Sequence, residues 1–136
     1  MPGKVVLDAS VIAAISFFQD TSSERSANAI ADVDLITVDI AIAEVGNVAW
    51  KRVVHFQENR ELTLIALQKS IGFIMEACSV INAQELVDSA YSIAVEHRVA
   101  FYDSLYIAAA KRERAPLMTL DKKLFEKVNG ADIQLV

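Results

Sequence analysis

The sequence predicts a three-layer α/β/α fold with a mostly parallel central sheet and a protruding helical hairpin, and three observations carry that expectation. Short apolar runs of strand length alternate with stretches of helical spacing, the pattern of strands joined through helices. Because helical stretches separate the strand candidates, right-handed crossovers and parallel pairing are expected. Hydrophobic residues make up 54% of the 136, against 4 glycines and 2 prolines, which suits buried strands and helices and argues against disorder. At this length residues 1–136 are expected to form a single domain without a linker.

Lys4 to Leu7 is a continuous apolar run, as in a strand covered on both faces, and it stops at Asp8. Ser10 can cap a helix over Val11 to Phe18, and Thr21 with Glu24 forms a capping-box pattern for a second helix through about Ala31. Leu35 to Val38 reads as the next strand, with Asp39 as a cap for a long helix from Ile40 to about Phe56. After the polar Gln57-Glu58-Asn59, residues Leu64, Leu67, Ile71, Ile74 and Met75 give Arg60 to Glu76 an amphipathic helical spacing, completing the hairpin. Cys78 to Ile81 is a third strand, followed by an Asn82 and Glu85 capping-box pattern for a helix through Glu96. A buried helix opening around Asp103 leads to the strand Leu117 to Leu120, and Ile133 to Val136 makes the last strand.

Composition narrows the function. Mean hydropathy is +0.33, yet no uninterrupted apolar run approaches the roughly 18 residues of a membrane helix. The stretch Val5 to Phe18 is broken by Asp8 and lacks a small-residue cleavage site, so it reads as strand and helix and not as a signal peptide. The single cysteine, Cys78, excludes an internal disulfide and a thiolate zinc cluster, fits a reducing cytoplasm, and reads as a small core residue. A net charge of −5 does not favour gripping nucleic acid by charge alone, but divalent ions held among the acids would offset much of it.

In an open parallel sheet the carboxyl ends of the strands share one edge, and ligands bind there at the point where strand order reverses. Asp8 and Asp121 end strands at that edge, Asp103 opens a helix, and Glu44 lies in the first turns of the helix that follows Val38. Four converging acids repel one another, and a hard divalent cation with a taste for oxygen, Mg²⁺ or Mn²⁺, relieves that repulsion. No paired histidine or cysteine spacing favours zinc or iron, and His55 and His97 read as surface or helix-end residues. Such a site suits phosphodiester hydrolysis.

Each acid also has a plainer reading: Asp8 and Asp103 as caps, Glu44 as a charge favoured by the helix dipole, Asp121 as the start of a turn. Helical spacing places Asn47 and Lys51 on the stripe of Glu44, where Lys51 can contact a substrate phosphate. Arg52 reads as part of a solvated face, and Trp50 as a core or interface residue. The hydroxyls of Ser10 and Thr119 stand two residues from Asp8 and Asp121 and can orient a carboxylate or serve a turn.

Four segments, Val6-Leu7-Asp8-Ala9-Ser10, Ala43-Glu44-Val45-Gly46-Asn47, Phe101-Tyr102-Asp103-Ser104-Leu105-Tyr106-Ile107-Ala108 and Leu117-Met118-Thr119-Leu120-Asp121, resemble in order and spacing the acidic motifs of PIN domains. The resemblance covers essentially the whole chain and is to the small single-domain type, the VapC-like toxins of toxin–antitoxin pairs. It implies a Mg²⁺- or Mn²⁺-dependent endoribonuclease acting on RNA, a homodimer, and an antitoxin whose tail enters the acidic cleft. It also implies that Asp8, Glu44, Asp103 and Asp121 are the catalytic, metal-site acids, supported by Ser10, Asn47 and Thr119. The chain departs from the family in having Ala115-Pro116 where a glycine is common before the last motif. The competing reading is a catalytically silent PIN-like module that binds protein or RNA. A haloacid-dehalogenase-type hydrolase would need a second Asp where Ser10 stands, and a response-regulator receiver an acidic pair that is absent.

Overall fold

A computed structural model of the chain describes residues 3–17, 21–128 and 133–136. Its elements run β1 (Lys4–Leu7), α1 (Ala9–Phe17), α2 (Thr21–Ala29), β2 (Asp34–Val38), α3 (Ile40–Val54), α4 (Arg60–Ala77), β3 (Cys78–Ile81), a 3₁₀ turn (Ala83–Leu86), α5 (Val87–His97), α6 (Phe101–Glu113), β4 (Leu117–Thr119), α7 (Lys122–Lys127) and β5 (Ile133–Leu135). The strands form one sheet in the order β3-β2-β1-β4-β5, and every pairing is parallel. β1 lies at the centre, with Val6 opposite Ile36 on one side and Leu117 on the other.

The chain first adds strands to one side of β1 and then crosses to the other, so right-handed crossovers put successive helix groups on opposite faces. The contacts follow that division: α1 packs on α2, α3 and α4, whereas α6 packs on α5 and reaches β1, β2 and β4. Val5, Val6 and Leu7 are buried between these layers, as expected of a central strand without a solvent face. α6 is buried continuously from Ser104 to Ala110, and its alanines allow the helix to lie close on the sheet.

Several boundaries differ from expectation because tertiary hydrogen bonds set them. α1 begins at Ala9, and its cap is Asp8, whose Oδ1 accepts from the Val11 N–H at 3.2 Å; Ser10 does not cap it. The Asp39 side chain does not cap α3 but accepts the Ala83 N–H at 3.1 Å, across the strand edge. The Asn82 side chain makes no cap hydrogen bond, and the chain enters α5 through a 3₁₀ turn. α2 ends at Ala29 and α3 at Val54, each two residues earlier than expected. Phe18 and the Thr21 side chain, on which two helix-end expectations rested, lie outside the described residues.

Cys78 is half-buried at the start of β3 and not a core residue, and burial raises its thiol to about 11. α3 and α4 pack as the expected hairpin. Phe56 is 71% exposed near its tip, and Trp50, more than half exposed and in a T-shaped contact with the His55 ring, belongs to the surface and not the core. Among the described residues no helix is long and apolar enough to cross a membrane.

Candidate active site

The reversal in strand order falls between β1 and β4, and a cleft of about 550 Å³ opens there at their carboxyl ends. Asp8, Glu44, Asp103 and Asp121 all line it, from β1, α3, α6 and the start of α7. Ser10, Asn47 and Lys51 line it as well, so Glu44, Asn47 and Lys51 do share one helical stripe. Thr119 is fully buried beneath the cleft and reaches it through Asp8.

Asp8 is the most constrained of these groups. It is 4% exposed, and both carboxylate oxygens are held: Oδ1 by the Ser10 hydroxyl at 2.5 Å and the Val11 N–H, Oδ2 by the Thr119 hydroxyl at 2.5 Å. The two hydroxyls are fixed in turn, because Ser10 Oγ accepts the Leu120 N–H and Thr119 Oγ1 accepts the Asp121 N–H, both at 3.0 Å. The end of β1 is thereby tied to the end of β4 through one carboxylate. Burial pushes Asp8 up to about 6 despite these donors, and the charge on Asp103 adds to the rise.

Asp103, in the first turn of α6, is half-buried and has no hydrogen bond to the described residues; Ala100, and not Asp103, occupies the cap position. Burial raises it to about 6, with further pushes from Asp121 and Glu44. Glu44 accepts the Tyr106 hydroxyl at 2.6 Å, and burial lifts its carboxyl above the usual range against the pull of that bond. Asp121 is exposed and combines two tasks: it lines the cleft, and its Oδ1 caps α7 by accepting the Leu124 N–H at 3.1 Å. The cap reading was therefore correct for Asp8 and not for Asp103, while Asp121, read as the start of a turn, caps a helix; Asp8 and Asp121 both line the cleft all the same.

The remaining sequence candidates fall elsewhere. Arg52 turns away to pair with Glu58 at 2.7 Å and stands over the Phe17 ring. His55 and His97 end α3 and α5 outside the cleft. Two cleft residues with polar tips, Tyr102 and Tyr106, stood in a quoted motif but were assigned no role from the sequence. The available signal was spacing, since Tyr106 stands one helical turn after Asp103.

The donor set fits a hard divalent cation. The cleft offers carboxylate, hydroxyl and amide oxygen, with no imidazole or thiol, and the charge of Asp103 raises the proton affinity of Asp8, as those of Asp121 and Glu44 raise that of Asp103. Among the described residues no three acidic, histidine or cysteine side chains stand close enough to enclose an ion as a preformed cage. An ion such as Mg²⁺, which keeps several waters and takes one or two carboxylates directly, suits that spacing.

Comparison with known proteins gives concordant matches. The family model for the PIN domain matches residues 5–131. Ribonuclease VapC3 of Pyrobaculum aerophilum is 33% identical over 127 residues, covering 91% of this chain and 94% of the relative. A crystal structure of a protein from the same organism superposes with a TM-score of 0.72 at 24% identity, covering 98% of this chain and 92% of that one. A toxin–antitoxin complex from Klebsiella pneumoniae superposes with a TM-score of 0.61 at 18% identity, covering 96% and 95%. At these identities the two structures establish a shared fold.

Proposed function

Because this chain belongs to the PIN domain family, we propose that it is a Mg²⁺- or Mn²⁺-dependent endoribonuclease, the toxin of a toxin–antitoxin pair. The observation that carries this reading is the meeting of Asp8, Glu44, Asp103 and Asp121 in one cleft at the strand-order reversal. The ribonuclease relative and the toxin–antitoxin complex of the same fold support it.

Asp8 and Asp103 would hold the cation most directly, and Glu44 and Asp121 would complete its surroundings. The bound ion supplies Lewis acidity, which makes water a better nucleophile and offsets charge on the departing 3′ oxygen. Asp8 contributes a carboxylate whose orientation is fixed by three donors before substrate arrives, so little reorganisation is needed. A carboxylate of the cluster takes the proton of the attacking water, which it can reach within the cleft. Lys51 and Asn47, on the α3 wall, hold the RNA phosphate.

The protein works in the cytoplasm as a homodimer, and a cognate antitoxin inhibits it by placing its tail in the cleft. Val87, Tyr91 and Val95, spaced four residues apart along α5 and all exposed, give a second copy an apolar stripe to cover.

The test is cleavage of RNA by protein freed of antitoxin. Activity with Mg²⁺, lost in EDTA and restored by Mn²⁺, supports the proposal; no cleavage of any RNA with either ion present would favour the silent binding module. Within an active enzyme, Lys51→Ala should raise KM by about three- to tenfold and leave kcat within about twofold, because a phosphate contact remote from the bond broken contributes mainly uniform binding.

A further inference from the structure

Tyr106 is a large aromatic residue, 1% exposed, on a helix whose inner face lies against the central sheet. Most such rings serve packing alone, but this one places its hydroxyl at the cleft and donates to Glu44 Oε1 at 2.6 Å. The bond spans 62 positions of sequence and joins α6 to α3, the two helices that carry Asp103 and Glu44. The hydroxyl is the donor of this pair, since an ionised carboxylate can only accept. A phenol has one proton, and here it has one recipient.

We propose that Tyr106 is a positioning residue: its hydroxyl fixes Glu44 so that Oε2 is the oxygen presented to the cation, and it holds the α3 wall against α6. The cleft is then closed by two hydrogen-bonded ties. The Ser10 and Thr119 hydroxyls on Asp8 join β1 to β4, and the Tyr106 hydroxyl on Glu44 joins α6 to α3. Outer hydrogen-bond partners of this kind orient a ligating carboxylate and tune its hold on a metal. The inference rests on reading the cleft as a cation site, and it concerns a residue that does not itself touch the ion.

The experiment is calorimetric titration of Mn²⁺ into wild type, Tyr106→Phe, Glu44→Gln and the double variant, without RNA. Tyr106→Phe keeps the buried ring and removes one oxygen, and thermal melts identify any variant that fails to fold. Tyr106→Phe should weaken Mn²⁺ binding by about tenfold. In the Glu44→Gln background the same change should have little further effect, because the residue acts through Glu44. Unchanged affinity in Tyr106→Phe, or an equal loss in both backgrounds, overturns the proposal.

A second readout is the Tyr106 hydroxyl proton by NMR in metal-free protein. It should be protected from exchange in wild type and lose that protection in Glu44→Ala. Its absence from wild type also overturns the proposal. A protected proton in a protein that binds no Mn²⁺ would uphold the tie between the helices while overturning the cation-positioning role; the metal-dependent reading of the cleft itself falls only if Mn²⁺ binding is absent with RNA present as well.

Discussion

Replacing Asp103 with asparagine should lower RNA cleavage by about 10³-fold while making the metal-free protein more stable at neutral pH. The two effects have one origin. Asp103 is half-buried, has no hydrogen bond to the described residues and is repelled by Asp121 and Glu44, which together with burial raise it to about 6. Its ionised form is thus disfavoured by the folded state, and the isosteric amide removes the charge that carries that cost. Function needs the same charge to hold a cation, so the gain in stability and the loss of activity belong to one trade-off. Wild-type cleavage by a clean preparation of the variant would remove Asp103 from the site. A lower melting temperature at neutral pH would show that the carboxylate is supported by the fold and not strained within it.

The second large effect is a dependence of stability on pH that is opposite to that of an ordinary paired acid. Asp8 is raised from 3.8 to about 6 in the folded protein, so between those values the folded state binds more protons than the unfolded state. Stability contributed by that protonation is fully present below about 3.8, the unfolded value, and is lost as pH rises through about 6. The shift corresponds to about 3 kcal/mol for this buried group, and Asp103, shifted the same way, adds to it in the same window. The melting temperature of metal-free wild type relative to Asp8→Asn should therefore fall as pH rises from about 4 to about 7. Saturating Mn²⁺ should abolish the drop on the alkaline side, because a cation favours the ionised acids that burial disfavours. Parallel melting curves of wild type and Asp8→Asn across this range would contradict the assignment of the shift to Asp8.

The strands were legible because central parallel strands need apolar side chains on both faces, and Val5 to Leu7 and Leu35 to Val38 have them. Helix ends were less legible where a distant partner decides them. Asp39 has the composition of a cap for α3, yet its carboxylate is engaged by Ala83 from the other side of β3, which nothing local to Asp39 announces. The four acids could be placed at one edge from topology alone, since a strand end or the helix turn beside it allows little freedom in an all-parallel sheet. Asp8 caps a helix and lines the cleft at once, alternatives that the sequence reading had set against each other, and Asp121, read there as a turn residue, does the same. Tyr106 was assigned no role for a different reason: its ring belongs to the core and its hydroxyl to the site, and a pattern of apolar spacing reports only the ring.

The most direct test of the central claim, that these acids form a divalent-cation site serving RNA cleavage, is titration of Mn²⁺ into antitoxin-free wild type and Asp103→Asn in the presence of a non-cleavable RNA analogue. Saturable binding to wild type that is lost in the variant is the predicted result. Equal binding to both proteins, or none to either with RNA present, would contradict it.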